Sequence, residues 1–477
     1  DIIITRFNPD AGPTHGHRTV SAQLAVKAFS LAADPSQFPE QLTQVCVHQA
    51  KRIFWNGYGR RGPGGRAPSM ANESREIVSL EIGKYNPLLG TSYTEIAARS
   101  RSMHKSQGFG RAGNRGPQTE RLILLDGEPT NGDMLHGIDT SWNRFANGTP
   151  VGKSFSAAIE AFDPNAPWNM VKHLIQADQQ LVKVKGSRIA AAKRTSTQNL
   201  IASALGLHFE ARSDTGYLTP GDKVALEVEL THRSPVSATV KSMRASAFNS
   251  DSWPKNMTLA DAQNLNQPLG RDNAEMTSID FKLPEDTPLT QPFWLKEEPE
   301  TGIYHFKNDR LLELTTVPPP LAVSAEIEVN GHSIELTTPV IQRVSDPVKG
   351  EVHHLVSVRP KVVLEPSAAV MLFEGTQSKQ VELTVTANTG GVSGNLLADA
   401  PQGWSVEIDD ARLEFSQGDS AQTRLAKITP PTGASEGTIQ FRFKTSGGET
   451  FDYRSNQIEY EHIGRQPFLA KAATKVT

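Results

Sequence analysis

After Gly206 the apolar residues fall on every second position, and that period limits what most of the chain can become. Val224, Leu226, Val228 and Leu230 alternate with polar neighbours, as do Val381, Leu383 and Val385, and Ile439, Phe441 and Phe443. A period of two lines one face of an extended strand. Ala325–Val329 and His332–Leu336 flank Asn330-Gly331, a pair suited to the positive φ angles of a two-residue turn, which predicts a β-hairpin. Short strands separated by Gly, Pro and Asn predict two β-sandwich, immunoglobulin-like modules, over residues 206–358 and 359–459, divided near Arg359-Pro360. The polar, lysine-bearing stretch 460–477 predicts an extended tail.

The first two hundred residues have a different pattern. The apolar run Ile2-Ile3-Ile4 has the character of a buried strand in a parallel sheet. It leads through Asn8-Pro9-Asp10-Ala11-Gly12-Pro13 into a helix carrying Val20, Leu24, Ala28 and Leu31 on one face. Lys51–Trp55 and Ile77–Ile82 predict further strands, and Gly57–Arg66 an exposed loop. Thr94 predicts the N-cap of a helix running to Ser106, with Glu95 and Arg99 paired four apart and Gly108 and Gly110 ending it. Two more helices are predicted, over about 169–184 and 187–205. Residues 1–205 therefore predict a mixed α/β domain. A chain that opens on a buried strand is expected to be preceded by a further segment.

Composition narrows the function. At 477 residues the chain exceeds a single core. A formal net charge of −3 with no basic run argues against a nucleic-acid binder, and no apolar stretch is long enough to span a bilayer. Cys46 is the single cysteine, so any metal must be held by His, Asp or Glu.

Two segments could carry chemistry. Thr14-His15-Gly16-His17-Arg18-Thr19 sits between an apolar strand and a helix start, where two imidazoles can supply a metal ligand and an electrophilic or proton-handling group. The backbone N–H groups of a helix start favour an oxyanion nearby. Ser102–Gly110 contains His104 and Gln107, three apart and hence on one side of a helix. Two solvated loop histidines and a helix-end cap are the structural alternatives. The Gly/Arg-rich run Gly108–Gly116 lacks the ordered spacing of a P-loop, and no G-x-S-x-G, HExxH or EF-hand pattern occurs.

Taken together, Ile3–Ala28, Lys51–Asn56, Tyr93–Arg101 and above all His104-Lys105-Ser106-Gln107 resemble the PIG-L/LmbE-like deacetylases, in their long multi-domain bacterial form. The last of these matches that family's H-x-S-Q signature, and the β-rich continuation fits its longer members. The resemblance implies a Rossmann-like PIG-L/LmbE domain, incomplete at its N-terminus, followed by the two sandwich modules. It implies a Zn2+ enzyme that hydrolyses the N-acetyl group of a sugar or glycan, in an exported protein of the periplasm or cell envelope. His17 is then the metal ligand, His15 the oxyanion group, and His104 and Gln107 belong to the catalytic site; exchange of the first two roles stays open.

Two departures from the family pattern stand out. The H-P-D-D motif that supplies the general base and two metal ligands occurs nowhere in the sequence, which makes a missing N-terminal fragment of the same protein an expected partner. The residue matching the fourth position of the family's H-x-D-H motif is Arg18, which does not deprotonate to bind zinc. The alternative is a non-catalytic glycan-binding or scaffold protein with a degenerate site. Trp404 and Tyr304 are candidate sugar-stacking residues in the modules, and His353-His354 is expected to be structural.

Overall fold

A computed structural model describes residues 1–10, 15–43, 45–57, 75–110, 112–314, 316–433, 435–460 and 463–477. The chain divides into two compact units, Asp1–Arg144 and Phe145–Thr477. The expected Gly57–Arg66 loop lies, beyond Gly57, outside the described residues.

The first unit is built on a mixed sheet of β1 (Ile2–Thr5), β2 (Arg52–Asn56), β3 (Ile77–Glu81) and β4 (Thr119–Gly127), in the order β1-β2-β4-β3. Helix α1 (Gly16–Leu31) joins β1 to the parallel β2, whereas β4 pairs antiparallel with both β2 and β3. Phe29 of α1 packs with Ala50 and Ile53, flanked by Ile3, Ala25, Val26 and Leu125. The opposite helix face, expected to be the buried one, is open: Val20 is 50% and Leu24 60% exposed. Helix α1 is apolar on two sides, so its period alone does not choose between them.

Arg52 is completely buried in β2. Its Nε donates to Glu128 O at 2.9 Å, Nη1 to Met134 O at 3.2 Å, and Nη2 to Pro129 O at 2.8 Å and His136 O at 2.6 Å. One guanidinium thus ties down the loop after β4 by satisfying four carbonyls, in the fixed fork geometry that lysine lacks. Helix α2 (Tyr93–Ser102) begins two residues earlier than expected. Its N-cap is Ser92, whose Oγ accepts from Glu95 N while Glu95 accepts from Ser92 N, a reciprocal capping box. Thr94 lies inside the helix and bonds Asn114 O at 2.8 Å. Glu95 serves the cap and pairs with Arg115 at 3.0 Å.

The second unit opens with α3 (Thr149–Glu160), α4 (Val171–Leu181) and α5 (Arg188–Ala204). These helices, grouped by the sequence with the leading domain, share one core with an eight-stranded sheet. Its main path runs Met257–Pro268, Ala238–Ala247, Leu321–Val329, His332–Asp346, His208–Arg212, Lys223–His232, Asn273–Lys282, and Gly350–Leu355 adds to His332–Asp346. Leu174, Ile175 and Ile201 from the helices meet Leu226, Val228, Ile327 and Ile334 from the strands. Asn330 and Gly331 have φ of 50° and 76°, as the expected turn requires. A second core lies between a four-stranded sheet centred on Lys379–Ala387 and a six-stranded sheet containing Gly437–Thr445. The segment expected to be a tail is instead ordered: Ile463–Lys471 pairs with Tyr453–Tyr460, and Ala473–Val476 inserts into the six-stranded sheet.

The expected fold class is corrected by this architecture. Among the described residues, strands make up 41% and helices, 3-10 turns included, 20%, with five α-helices. Among the described residues no Rossmann-like α/β arrangement is formed. The first sheet has one parallel pair, β1 with β2, and antiparallel pairing elsewhere, and α3 to α5 cover the antiparallel-rich sheet of the second unit. A helical period reveals that a helix has an apolar face, but not which sheet covers it.

Candidate functional site

His15 stands where the chain enters α1, as its N-cap in extended backbone with no side-chain capping bond. Its carbonyl accepts from Arg18 N at 3.0 Å and Thr19 N at 3.4 Å. His17 follows in the first turn, and the two imidazoles stack with centroids 5.7 Å apart and planes 13° from parallel. Both are exposed. Arg18 turns aside, its guanidinium 5.2 Å from the centre of the Phe7 ring. Gln23 Nε2 donates to Pro9 O at 2.9 Å, which ties the loop after β1 back onto the helix. Thr14 and Ala11–Pro13 lie outside the described residues.

His104 and Gln107 are not on a continuous helix. α2 ends at Ser102, and Lys105–Gln107 forms a separate 3-10 turn with His104 as its N-cap. Gly108 follows at φ 66°, a left-handed conformation that glycine adopts without the strain a side chain would bring. His104 meets the edge of Phe109 at 5.9 Å, and Arg101 lies 5.6 Å over the same ring. Both His104 and Gln107 are exposed. The histidines of the first segment are thus paired with each other, and His104 with an aromatic ring.

Zinc sites use three or four protein donors. His15 and His17 offer imidazole nitrogens of suitable chemistry. Among the described residues, no group of three or more His, Cys, Asp or Glu side chains converges. His15 and His17 by themselves are two donors, fewer than such a site uses.

Of the aromatic candidates in the modules, Trp404 is core: it is 7% exposed, packs edge-on to Phe373 at 5.0 Å and donates to Ser435 Oγ at 3.2 Å. Tyr304 is exposed. His353 lies 2.8 Å from Glu351 across one strand, and burial lowers the pKa of His354. Sequence reasoning missed a polar cluster in the second unit. There the fully buried Asp178 of α4 lies 3.3 Å from Gln198 and Arg194 of α5 and 2.9 Å from His332. Asp178 and His332 are 154 residues apart, and no local pattern signals such a pairing.

No protein-family model matches the chain, and no curated protein matches it. Among solved structures it is similar to a Salmonella alpha-2-macroglobulin reacted with methylamine, at 13% identity and a TM-score of 0.19, over 57% of this chain and 16% of that one. It is also similar to the secreted serine protease VesC of Vibrio cholerae, at 8% identity and a TM-score of 0.19, over 51% and 50% of the two chains. A Pseudomonas fluorescens alkylpurine DNA glycosylase, AlkC, aligns at 11% identity and a TM-score of 0.16, over 36% and 46%. The chain thus spans half or less of the length of each of these proteins. Likenesses this slight carry no inference about fold or activity.

Proposed function

We propose that Asp1–Arg144 is part of a PIG-L/LmbE-like deacetylase that removes the acetyl group from an N-acetylated sugar or glycan with the aid of zinc. The observation that carries this reading is the stacked His15–His17 pair, standing after the carboxyl end of a strand in a parallel β1-α1-β2 unit. When bound, zinc in such a site activates water and polarises an amide carbonyl.

In this reading His17 is the ligand this chain contributes, and His15 donates a hydrogen bond to the oxyanion. Positions at a helix start suit both roles, because unpaired backbone N–H groups there favour negative charge. His104 and Gln107 flank the substrate, their turn ended by Gly108. The remaining metal donors and the general base come from a companion segment of the same protein. Its supporting observation is the open apolar face of α1, where Val20 is 50% and Leu24 60% exposed. The protein is read as exported.

A second reading, a glycan-binding protein with a degenerate catalytic site, is favoured by Arg18. It occupies the fourth position of the metal motif and stacks on Phe7, so that position cannot ligate. Zinc content and acetate release, measured on the complete polypeptide with N-acetylglucosamine and its oligomers, separate the two. About one zinc per chain, lost in His17→Ala, supports the deacetylase. A metal-free protein that binds the oligomers without releasing acetate supports the second reading.

A further inference from the structure

We propose that the first unit docks on an anionic lipid surface through the Tyr85–Ser92 hairpin and the outward face of α2. The helix that carries this face is turned inside out. Thr94 is buried, and Ala98 and Ser102, at successive spacings of four, are partly buried on the same side. There Thr94 Oγ1 donates to Asn114 O at 2.8 Å, and a Cβ on Gly113 would lie 3.4 Å from Ala98 Cβ. Tyr93, Ile96 and Met103 line the other side, all exposed, with Tyr93 and Met103 more than half so. A surface helix ordinarily turns its apolar stripe to the core and its polar side to water.

The hairpin before the helix continues this face. Tyr85 pairs with Ser92 and Asn86 with Thr91. Asn86 Oδ1 accepts from Leu88 N at 3.0 Å and Leu89 N at 3.3 Å, and its Nδ2 donates to Tyr93 Oη at 3.5 Å. One side chain thus shapes the turn and sets it against the first residue of α2. Gly90, at φ 64°, lets the chain reverse behind the two leucines. Leu88 is 94% exposed, and Tyr85 and Leu89 more than half, so the tip of the turn is an apolar projection.

Charge selects the partner. Residues 83–110 carry Lys84, Arg99, Arg101 and Lys105 against a single acid, Glu95, which is already engaged by the α2 cap and by Arg115. None of the four cations is in an ion pair among the described residues. This local excess runs against the net charge of −3 of the whole chain. A lipid surface of negative charge meets every feature: hydrocarbon takes Leu88 and Leu89, the headgroup layer takes Tyr85 and Tyr93, and lipid phosphates take the cations. A nucleic acid or acidic peptide would satisfy the cations and leave the leucines in water. A second copy would bring the same cations against these. The proposal uses neither histidine pair nor metal and stands apart from the deacetylase reading.

Flotation of the full chain with vesicles of phosphatidylcholine, and of phosphatidylcholine mixed with phosphatidylglycerol, tests this. Binding is expected on the anionic vesicles and should weaken as salt is raised. Leu88→Ser combined with Leu89→Ser should weaken it about tenfold or more, and Lys84→Glu combined with Arg99→Glu about tenfold. All four side chains are exposed, so melting temperatures should be unchanged. Leu372→Ser, at an exposed leucine of the second unit, should bind as wild type does. The proposal is overturned if the anionic vesicles are not bound, if the leucine exchange leaves binding unchanged, or if that exchange splits a dimer in solution. Binding to soluble polyglutamate that needs the cations but not the leucines, without vesicle binding, would assign the surface to an acidic protein and overturn it as well.

Discussion

His332 Nε2 lies 2.9 Å from Asp178 Oδ2, joining the residue after the Asn330-Gly331 turn to a carboxylate with no solvent exposure on α4. Gln198 Nε2 and Arg194 Nε, each 3.3 Å from an Asp178 oxygen, complete its surroundings. Gln198 Oε1 also accepts from Glu335 N at 3.3 Å, so the helices are fastened to the hairpin through polar groups as well as through the apolar core. Asp178→Ala strips the carboxylate from this cluster and leaves its partners half-satisfied. A loss of about 3 kcal/mol is expected, read by denaturant unfolding. A loss below about 1 kcal/mol would show that water replaces the carboxylate without penalty.

The α2 cap gives a smaller, local effect. Ser92 is 3% exposed, and its hydroxyl accepts from Glu95 N at 3.3 Å. Ser92→Ala should cost about 1 kcal/mol, whereas Ser92→Asp should retain most of the stability. Hydrogen exchange at the amides of the first helical turn is the direct readout. Equal protection in wild type and Ser92→Ala would remove the cap from the account.

The pH dependence of the second unit should bear the mark of His232. This side chain is 2% exposed, with Nε2 2.9 Å from Ser234 Oγ, and burial lowers its pKa; Asp272 opposes the shift and Arg271 adds to it. A lowered pKa means that the unfolded chain takes up a proton before the folded one does. The stability tied to neutral His232 is therefore present above the ordinary histidine pKa of about 6.5 and is lost as pH falls below it. Melting temperature should decline from about pH 7 to about pH 5, and less steeply in His232→Gln. Identical slopes in the two proteins would assign the dependence to other groups.

Gly394 illustrates a backbone contact that no side chain can enter. A Cβ built there would lie 2.3 Å from Lys444 O and 2.8 Å from Thr445 Cα. Its strand is hydrogen-bonded on both sides, to Gly437–Thr445 and to Arg412–Phe415, so neither neighbour gives way freely. Gly394→Ala should cost about 2 kcal/mol. Gly433→Ala, with nothing within 4 Å of its Cβ position, should stay within about 0.5 kcal/mol of wild type.

What could be read from the sequence divides along the range of the interactions. The alternation in Val224–Leu230, Val381–Val385 and Ile439–Phe443 foretold buried strand faces, and each of these apolar residues is buried. The Asn330-Gly331 turn was equally plain, because its φ angles are a local matter. Helix α1 was foreseen, but with Val20 and Leu24 inward. The structure buries Ala22 and Phe29 instead, since the choice belongs to the sheet packed against the helix. The cap of α2 moved from Thr94 to Ser92 because the reciprocal bond with Glu95 outweighs the bare presence of a threonine. The assumed tail became a hairpin and a strand, as its polar residues obscure a pattern that only pairing partners reveal. At the candidate site, the adjacency of His15 and His17 could be read directly. The split of His104 and Gln107 onto a 3-10 turn could not.

The strand Ala473–Val476 lies between Val370–Met371 and Gly437–Thr445 in the six-stranded sheet. The module that begins near Val362 therefore lacks an interior member until residue 476 has been made. On a ribosome delivering roughly 5–20 residues per second, the slot stays open from the completion of Thr445 until Ala473–Val476 has been made, about thirty residues later. The terminal hairpin emerges just before the strand that closes it. A nascent chain arrested ahead of Ala473 would thus present an unfilled groove to any passing strand, making this stage of synthesis the one most in need of protection by a chaperone.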